Sequence, residues 1–249
     1  MDIDPIELWA HMAGLVRAVV VALTAQALFS TYVVVDRVIL VYLSSARSRR
    51  FAAEAGARLA RGDYDGVLAL AEKHDKSHLA QLIRTGLRTF VARREEGLSR
   101  EKAAELAKRA LERAGENLSE SLHRGLNVLA STGSTAPFIG LLGTVLGILS
   151  AFRLIGEEAS GGMSTIGPAI SEALIVTGYG LLVAIPSVLC FNWLSAKIAK
   201  YEAGLANAGS ELVDRLEAGT ASEAEAERSS ETAPGALGAM PAGGSPCRA

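Results

Sequence analysis

The sequence predicts an all-α membrane protein with three transmembrane helices and long cytoplasmic helical extensions. Two features of the whole chain point there. Of its 249 residues, 49% are hydrophobic while 21% are charged, and the two figures fit together only if charge is kept apart from long apolar runs. Three uncharged stretches are indeed long enough to cross a bilayer. They are residues 18–35 (18 residues, about 27 Å as a helix), 125–152 (28 residues, about 42 Å) and 173–196 (24 residues, about 36 Å). Lipid leaves no partner for an open backbone, so each stretch is read as an α-helix. The first run is short, but Asp36 and Arg37 are followed by apolar residues through Leu43, so the first span is extended to residues 17–43.

Orientation follows from where cations cluster. Arg47, Arg49, Arg50, Arg58 and Arg61 follow the first span, and Lys197 and Lys200 follow the third. The segment between spans two and three carries Arg153, Glu157 and Glu158 and is not basic. Residues 44–124 hold 17 Lys or Arg against 12 Asp or Glu, a net of +5. Residues 1–16 are therefore assigned outside the cytoplasm, 44–124 to a cytoplasmic helical loop and 153–167 to a short extracytoplasmic loop. The third span (168–196) leads into a cytoplasmic helix extension (197–217). The start is not expected to be a secretory signal, because Asp2, Asp4 and Glu7 stand where such a signal is basic.

The loop reads as helices. Residues 52–70 are interrupted by a turn at Gly62–Gly66. Leu79, Leu82, Ile83, Leu87, Phe90 and Val91 recur at helical spacing. Ser99 is a candidate N-cap for a helix through Arg124, rich in Ala, Glu, Lys, Leu and Arg and free of Pro, which is expected to run unbroken into span two. From Ala218 the composition turns to Ala, Glu, Ser, Gly and Pro, and residues 218–249 are expected to be a disordered tail.

Chemistry is sparse. A net charge of −2 gives no reason to expect nucleic-acid binding. Cys190 and Cys247 form neither a disulfide framework nor a metal set, and His74 and His78, four apart, lack a third ligand. No cofactor fingerprint, P-loop or catalytic triad pattern is present, so no enzyme is expected. In span two, Gly133, Gly140, Thr144, Gly147 and Ala151 draw a small-residue stripe. Such stripes let membrane helices approach closely. Gly133, Pro137, Gly140, Gly143 and Gly147 are assigned to helix packing, and Pro186 likewise in span three. Thr132, Ser134, Thr135 and Thr144 add hydroxyls, which either bond back to their own helix or face a polar path. Glu172 is the most informative residue. An ionisable group near a span either lines a watery interior or sits at the interface and reaches water. Thr177 lies five residues on, about 140° around the helix, so the two do not share a face. Asp36 and Arg37 read better as an interfacial pair than as a proton relay.

The stretches Ser134–Gly147 and Pro168–Thr177, followed by Gly180 and Ala184-Ile185-Pro186, resemble the second- and third-span motifs of the MotA/TolQ/ExbB proton-channel family, in its ExbB/TolQ branch. The resemblance is strong over residues 126–196 and rests on topology elsewhere. It implies a multi-pass protein of the bacterial inner membrane, with a periplasmic N-terminus and a cytoplasmic C-terminus. It also implies a ring-forming homopentamer whose second and third spans line a central pore. A dimer of a single-span subunit resembling ExbD or TolR would sit inside and carry a membrane Asp. By the same resemblance Thr144 and Thr177 match pore-lining threonines, and Glu172 matches the third-span acid. The motor so built would energise a TonB-like or TolA-like protein or a gliding machinery. The tail beyond Ala218 has no place in that pattern. The competing reading is a membrane scaffold without ion conduction. An intramembrane enzyme is disfavoured because no nucleophile and base stand together in the spans.

Overall fold

The computed structural model describes Met12, residues 14–157 and residues 163–219. Six helices account for nearly all of them: α1 (Gly14–Leu59), α2 (Tyr64–Lys73), α3 (His78–Glu95), α4 (Arg100–His123), α5 (Leu126–Glu157) and α6 (Met163–Ala218). Among the described residues there is no strand. Three of the helices, α1, α5 and α6, are long and apolar enough to cross a membrane. The expected all-helical fold with three such spans is what forms. Residues 220–249 of the tail and residues 1–11 and 13 lie outside the described residues.

The helix ends follow local chemistry. Gly62, at φ 73°, closes the turn after α1, and the Asp63 carboxylate accepts from the Gly66 amide at 2.9 Å to start α2. Ser77 caps α3 by accepting from the Ala80 amide at 3.3 Å. Ser99 stands at the N-cap of α4 in extended backbone, but its side chain makes no cap bond to the helix amides. Glu101 occupies the first turn instead. A hydrogen bond to its own backbone amide, helped by one to Ser99, holds its carboxyl below the usual range.

One expectation needs correction. α4 does not run unbroken into span two. It ends at His123, Arg124 turns out of the helix (φ −56°, ψ 128°), and Gly125 takes φ 85° before α5 begins. The Arg37 guanidinium fixes this corner by donating to the Ser121 carbonyl at 2.8 Å while pairing with Asp36 at 2.8 Å. Also, His74 and His78 do not share a helix: His74 closes α2 and His78 opens α3. Helix also fills more of residues 153–167 than a loop would, since α5 reaches Glu157 and α6 starts at Met163. α1 continues well past residue 43, as a rod that carries the first span into the loop region.

The packing divides by environment. At the basic end, Phe51 of α1, Val67 of α2, Leu87 and Phe90 of α3, Ala103, Ala104 and Ala107 of α4 and Leu212 and Leu216 of α6 form one buried core. Each buried large side chain there contributes about 1.5–3 kcal/mol. The alanines bring α4 close, and the fit is tight: a Cβ on Gly86 would meet Leu111 at 2.9 Å. The spans behave oppositely. Leu28, Phe138 and Leu182 are 69%, 71% and 66% exposed, and their neighbours on α1, α5 and α6 form a broad apolar belt. A belt of that extent is stable only against lipid or other apolar helices.

Candidate functional site

The three apolar helices meet along two kinds of seam. The first, between α5 and α6, is backbone on backbone. A Cβ on Gly140 would lie 3.2 Å from the Thr177 Cα and 3.3 Å from the Gly180 Cα. One on Gly180 would lie 2.7 Å from the Ala136 carbonyl oxygen. Further along, Gly143 faces Val176 at 2.5 Å and Gly147 faces Ala173 at 2.6 Å by the same construction, while Gly133 meets Val188. Only residues without a side chain permit this approach. Pro137 and Pro186 lie inside α5 and α6. Each lacks the N–H that would otherwise meet a carbonyl one turn back, those of Gly133 and Leu182.

The hydroxyl of Thr177 lies in this seam and donates to the Gly140 carbonyl at 2.7 Å. In an α-helix that carbonyl also accepts from the amide four residues on, which belongs to Thr144. Thr144 is partly exposed, and its hydroxyl donates to the Leu141 carbonyl of its own helix at 2.7 Å. It borders the exposed apolar face of Leu141, Val145 and Ile148. Glu172 is half-buried on α6. Its neighbour Ala173 lies against Gly147, so Glu172 sits within about one turn of Thr144 in height. Seven residues separate Glu172 from Tyr179, which places both within about 20° on one stripe of α6. Tyr179 points to α1, whereas Thr177 points to α5. Thr144, Thr177 and Glu172 therefore lie within about two turns of one another along the bundle without converging on one point.

The second seam, which reading the sequence missed, joins α1 to the other two spans through hydroxyl and amide rungs. Thr24 Oγ1 lies 3.1 Å from the Tyr179 hydroxyl, Gln26 donates to Thr135 at 3.2 Å, and Ser30 donates to buried Thr132 at 3.0 Å. Thr24, Gln26 and Ser30 are three of the five polar residues, with Thr31 and Tyr32, in an otherwise apolar run. That scarcity was the available signal, since a polar side chain in lipid seeks a partner helix.

A third polar cluster lies outside the spans. Ser48 of α1 is 3.2 Å from Ser77 and 3.0 Å from the Tyr201 hydroxyl, and that hydroxyl is 3.3 Å from His78 Nδ1. Burial lowers the His78 pKa and raises that of Tyr201, so both favour the neutral form. Among the described residues no three His, Cys, Asp or Glu side chains gather as a metal set.

A profile of the MotA/TolQ/ExbB proton channel family matches residues 74–207, which include all of α3, α4 and α5 and most of α6. Among similar proteins is a biopolymer transport protein ExbB of Pseudomonas putida, 38% identical over 60% of this chain and 42% of that relative. A Tol-Pal system protein TolQ of Pseudomonas aeruginosa is 38% identical over 49% of this chain and 53% of its own length. An ExbB of Xanthomonas campestris pv. campestris is 44% identical over 43% of each chain. The match thus spans about half the length of these relatives or less. With more than half of its residues inside the profile, the chain belongs to the MotA/TolQ/ExbB proton channel family, on its ExbB/TolQ branch.

Proposed function

We propose that the chain is the channel-forming, stator-type subunit of an inner-membrane motor driven by the proton-motive force. The observation that carries the reading is the Thr177 hydroxyl set in a backbone-tight seam between α5 and α6, with Thr144 and Glu172 within about two turns of it. An ionisable group within a membrane span is by default a pointer to an ion path. In this reading α5 and α6 face a central pore in a homopentamer, with the N-terminus periplasmic and the C-terminus cytoplasmic. Gly133, Gly140, Gly143 and Gly147 keep each α5–α6 pair rigid, and Pro137 and Pro186 interrupt its hydrogen-bond ladders.

Hydroxyls suit the task because they solvate a proton without fixing a charge. The chain carries no complete relay of its own, so a single-span subunit resembling ExbD or TolR would supply a membrane Asp. That carboxyl would be neutral among apolar side chains and ionised near water. The motion would energise envelope transport through a TonB-like or TolA-like protein, or a gliding machinery. The chain is then a motor part and no enzyme. The test is proton uptake by vesicles holding the chain with its single-span partner. Thr144→Ala and Glu172→Gln are expected to cut flux at least tenfold while co-purification persists. Full flux in both variants would overturn the site, and tolerance of both together with loss on disrupting α4 would favour the scaffold without ion conduction.

A further inference from the structure

Where the apolar spans give way to the basic end, a cleft of about 750 Å³ opens between α1 and α6. On the side toward the spans its floor is apolar, with Val38 and Val41 from α1 and Leu194 from α6. Its rim is cationic: Arg49, Lys197 and Lys200 line it, all are exposed, and no carboxylate does so among the described residues. Tyr42 and Trp193, 79% and 51% exposed, flank it at the last turn of each span, where amphipathic rings settle at headgroup level. The Lys197 ammonium stands 5.9 Å from the centre of the Trp193 ring, held over it by attraction to the ring face.

We propose that this cleft binds an anionic phospholipid of the adjoining leaflet, its phosphate among Arg49, Lys197 and Lys200 and its upper acyl chain on the apolar floor. The charge is complementary, and basic pockets between membrane helices suit such headgroups. A free phosphate ion would leave the apolar floor wet, so the floor selects the lipid. The ligand would add a tie between α1 and α6 beside the 3.0 Å contact of the Ser48 and Tyr201 hydroxyls. The proposal rests on the membrane reading, and on the orientation above only for naming the leaflet as cytoplasmic.

The test is retention of lipid by the assembled complex in nanodiscs of phosphatidylcholine with phosphatidylglycerol, read by native mass spectrometry after gentle extraction. Phosphatidylglycerol is expected to be retained in preference to phosphatidylcholine. Arg49→Gln, Lys197→Gln and Lys200→Gln together should lower that retention at least about tenfold. Gly204→Phe, which keeps every charge but fills the cleft, should lower it too, since a side chain there meets open space. Arg47→Gln, Arg50→Gln and Arg61→Gln remove equal charge away from the cleft and should leave it unchanged. Equal retention of both lipids, as when a second copy of the chain covers the cleft, or equal loss in the control variant would overturn the proposal. Proton flux is not part of the readout. A complex that conducts but holds no lipid sinks this inference alone, and one that holds lipid but does not conduct sinks the proposed function alone.

Discussion

Replacing Gly180 by Ala should unfasten the α5–α6 seam. The new Cβ would lie 2.7 Å from the Ala136 oxygen and 3.0 Å from the Gly140 Cα, and both are backbone atoms that cannot rotate away. A comfortable carbon–carbon contact needs about 0.5–1 Å more, so the helices must part by about 0.5 Å. That shift stretches the 2.7 Å bond from Thr177 to Gly140 to about 3.2 Å, the edge of a good hydrogen bond. Overpacking of this kind costs about 1–3 kcal/mol, and weakening the membrane hydrogen bond adds up to about 1. Ala in a helix returns about 0.5–1 kcal/mol relative to Gly, which leaves a net loss of up to about 3.5 kcal/mol. Gly178, two residues away, is the internal control, because nothing lies within 4 Å of its Cβ position. Gly178→Ala should stabilise by about 0.5–1 kcal/mol from propensity alone. The assay is loss of helical circular dichroism as dodecyl sulfate is titrated into the detergent-solubilised protein. Equal shifts for the two variants, or a stabilised Gly180→Ala, would refute the argument that backbone contact holds the seam.

Three further outcomes are expected from the same titration. Arg37→Ala removes the donor to the Ser121 carbonyl and should cost about 1 kcal/mol, with the α4–α5 corner becoming more open to proteolysis. Gly125→Ala forces a side chain into left-handed backbone at φ 85°, and its Cβ would also press on Val33 at 3.2 Å, so a loss of about 1–2 kcal/mol is expected. Burial lowers the His78 pKa below its ordinary 6.5, so the unfolded chain binds more protons between the two values. His78 therefore contributes stability that is fully present above about pH 6.5 and is lost as pH falls through the folded value. His78→Gln should flatten that part of the stability profile, and an unchanged slope would assign it to another group.

The architecture was legible where one physical force dominates. Charge-free runs of 18, 28 and 24 residues read as spans because lipid permits little else, and α1, α5 and α6 carry them. The helices of the loop region were legible from periodicity, but their caps were not: Asp63 and Ser77 make cap bonds, whereas Ser99, the candidate read from the sequence, makes none. What escaped was the corner at Arg124 and Gly125. No Pro marks it, and a single Gly in a helical pattern is ambiguous. One contact that holds it comes from 84 residues away, where the Arg37 guanidinium takes the Ser121 carbonyl. Arg37 read as an interfacial charge, and nothing local to it disclosed a structural partner.

The membrane hydroxyls show why side-chain roles are harder to read than spans. Thr144 bonds back to its own helix, as a membrane Thr commonly does, while Thr177 crosses to the Gly140 carbonyl. Both are threonines in charge-free runs, and only the neighbouring helix separates the two cases. Thr177 can cross because Gly140 and Gly180 remove the atoms that would hold the backbones apart. The glycines thus decide the state of that hydroxyl as well as the spacing. A hydroxyl already donating to a carbonyl still accepts through its lone pairs. Thr177 in this bond can therefore receive a proton donor without breaking the seam. In the proposed channel, conduction through Thr177 and rigidity of the α5–α6 pair need not compete. If they do not, Thr177→Ser, which keeps the hydroxyl, should conduct nearly as well as the native chain, whereas Thr177→Val, which keeps the shape, should lose both flux and seam stability.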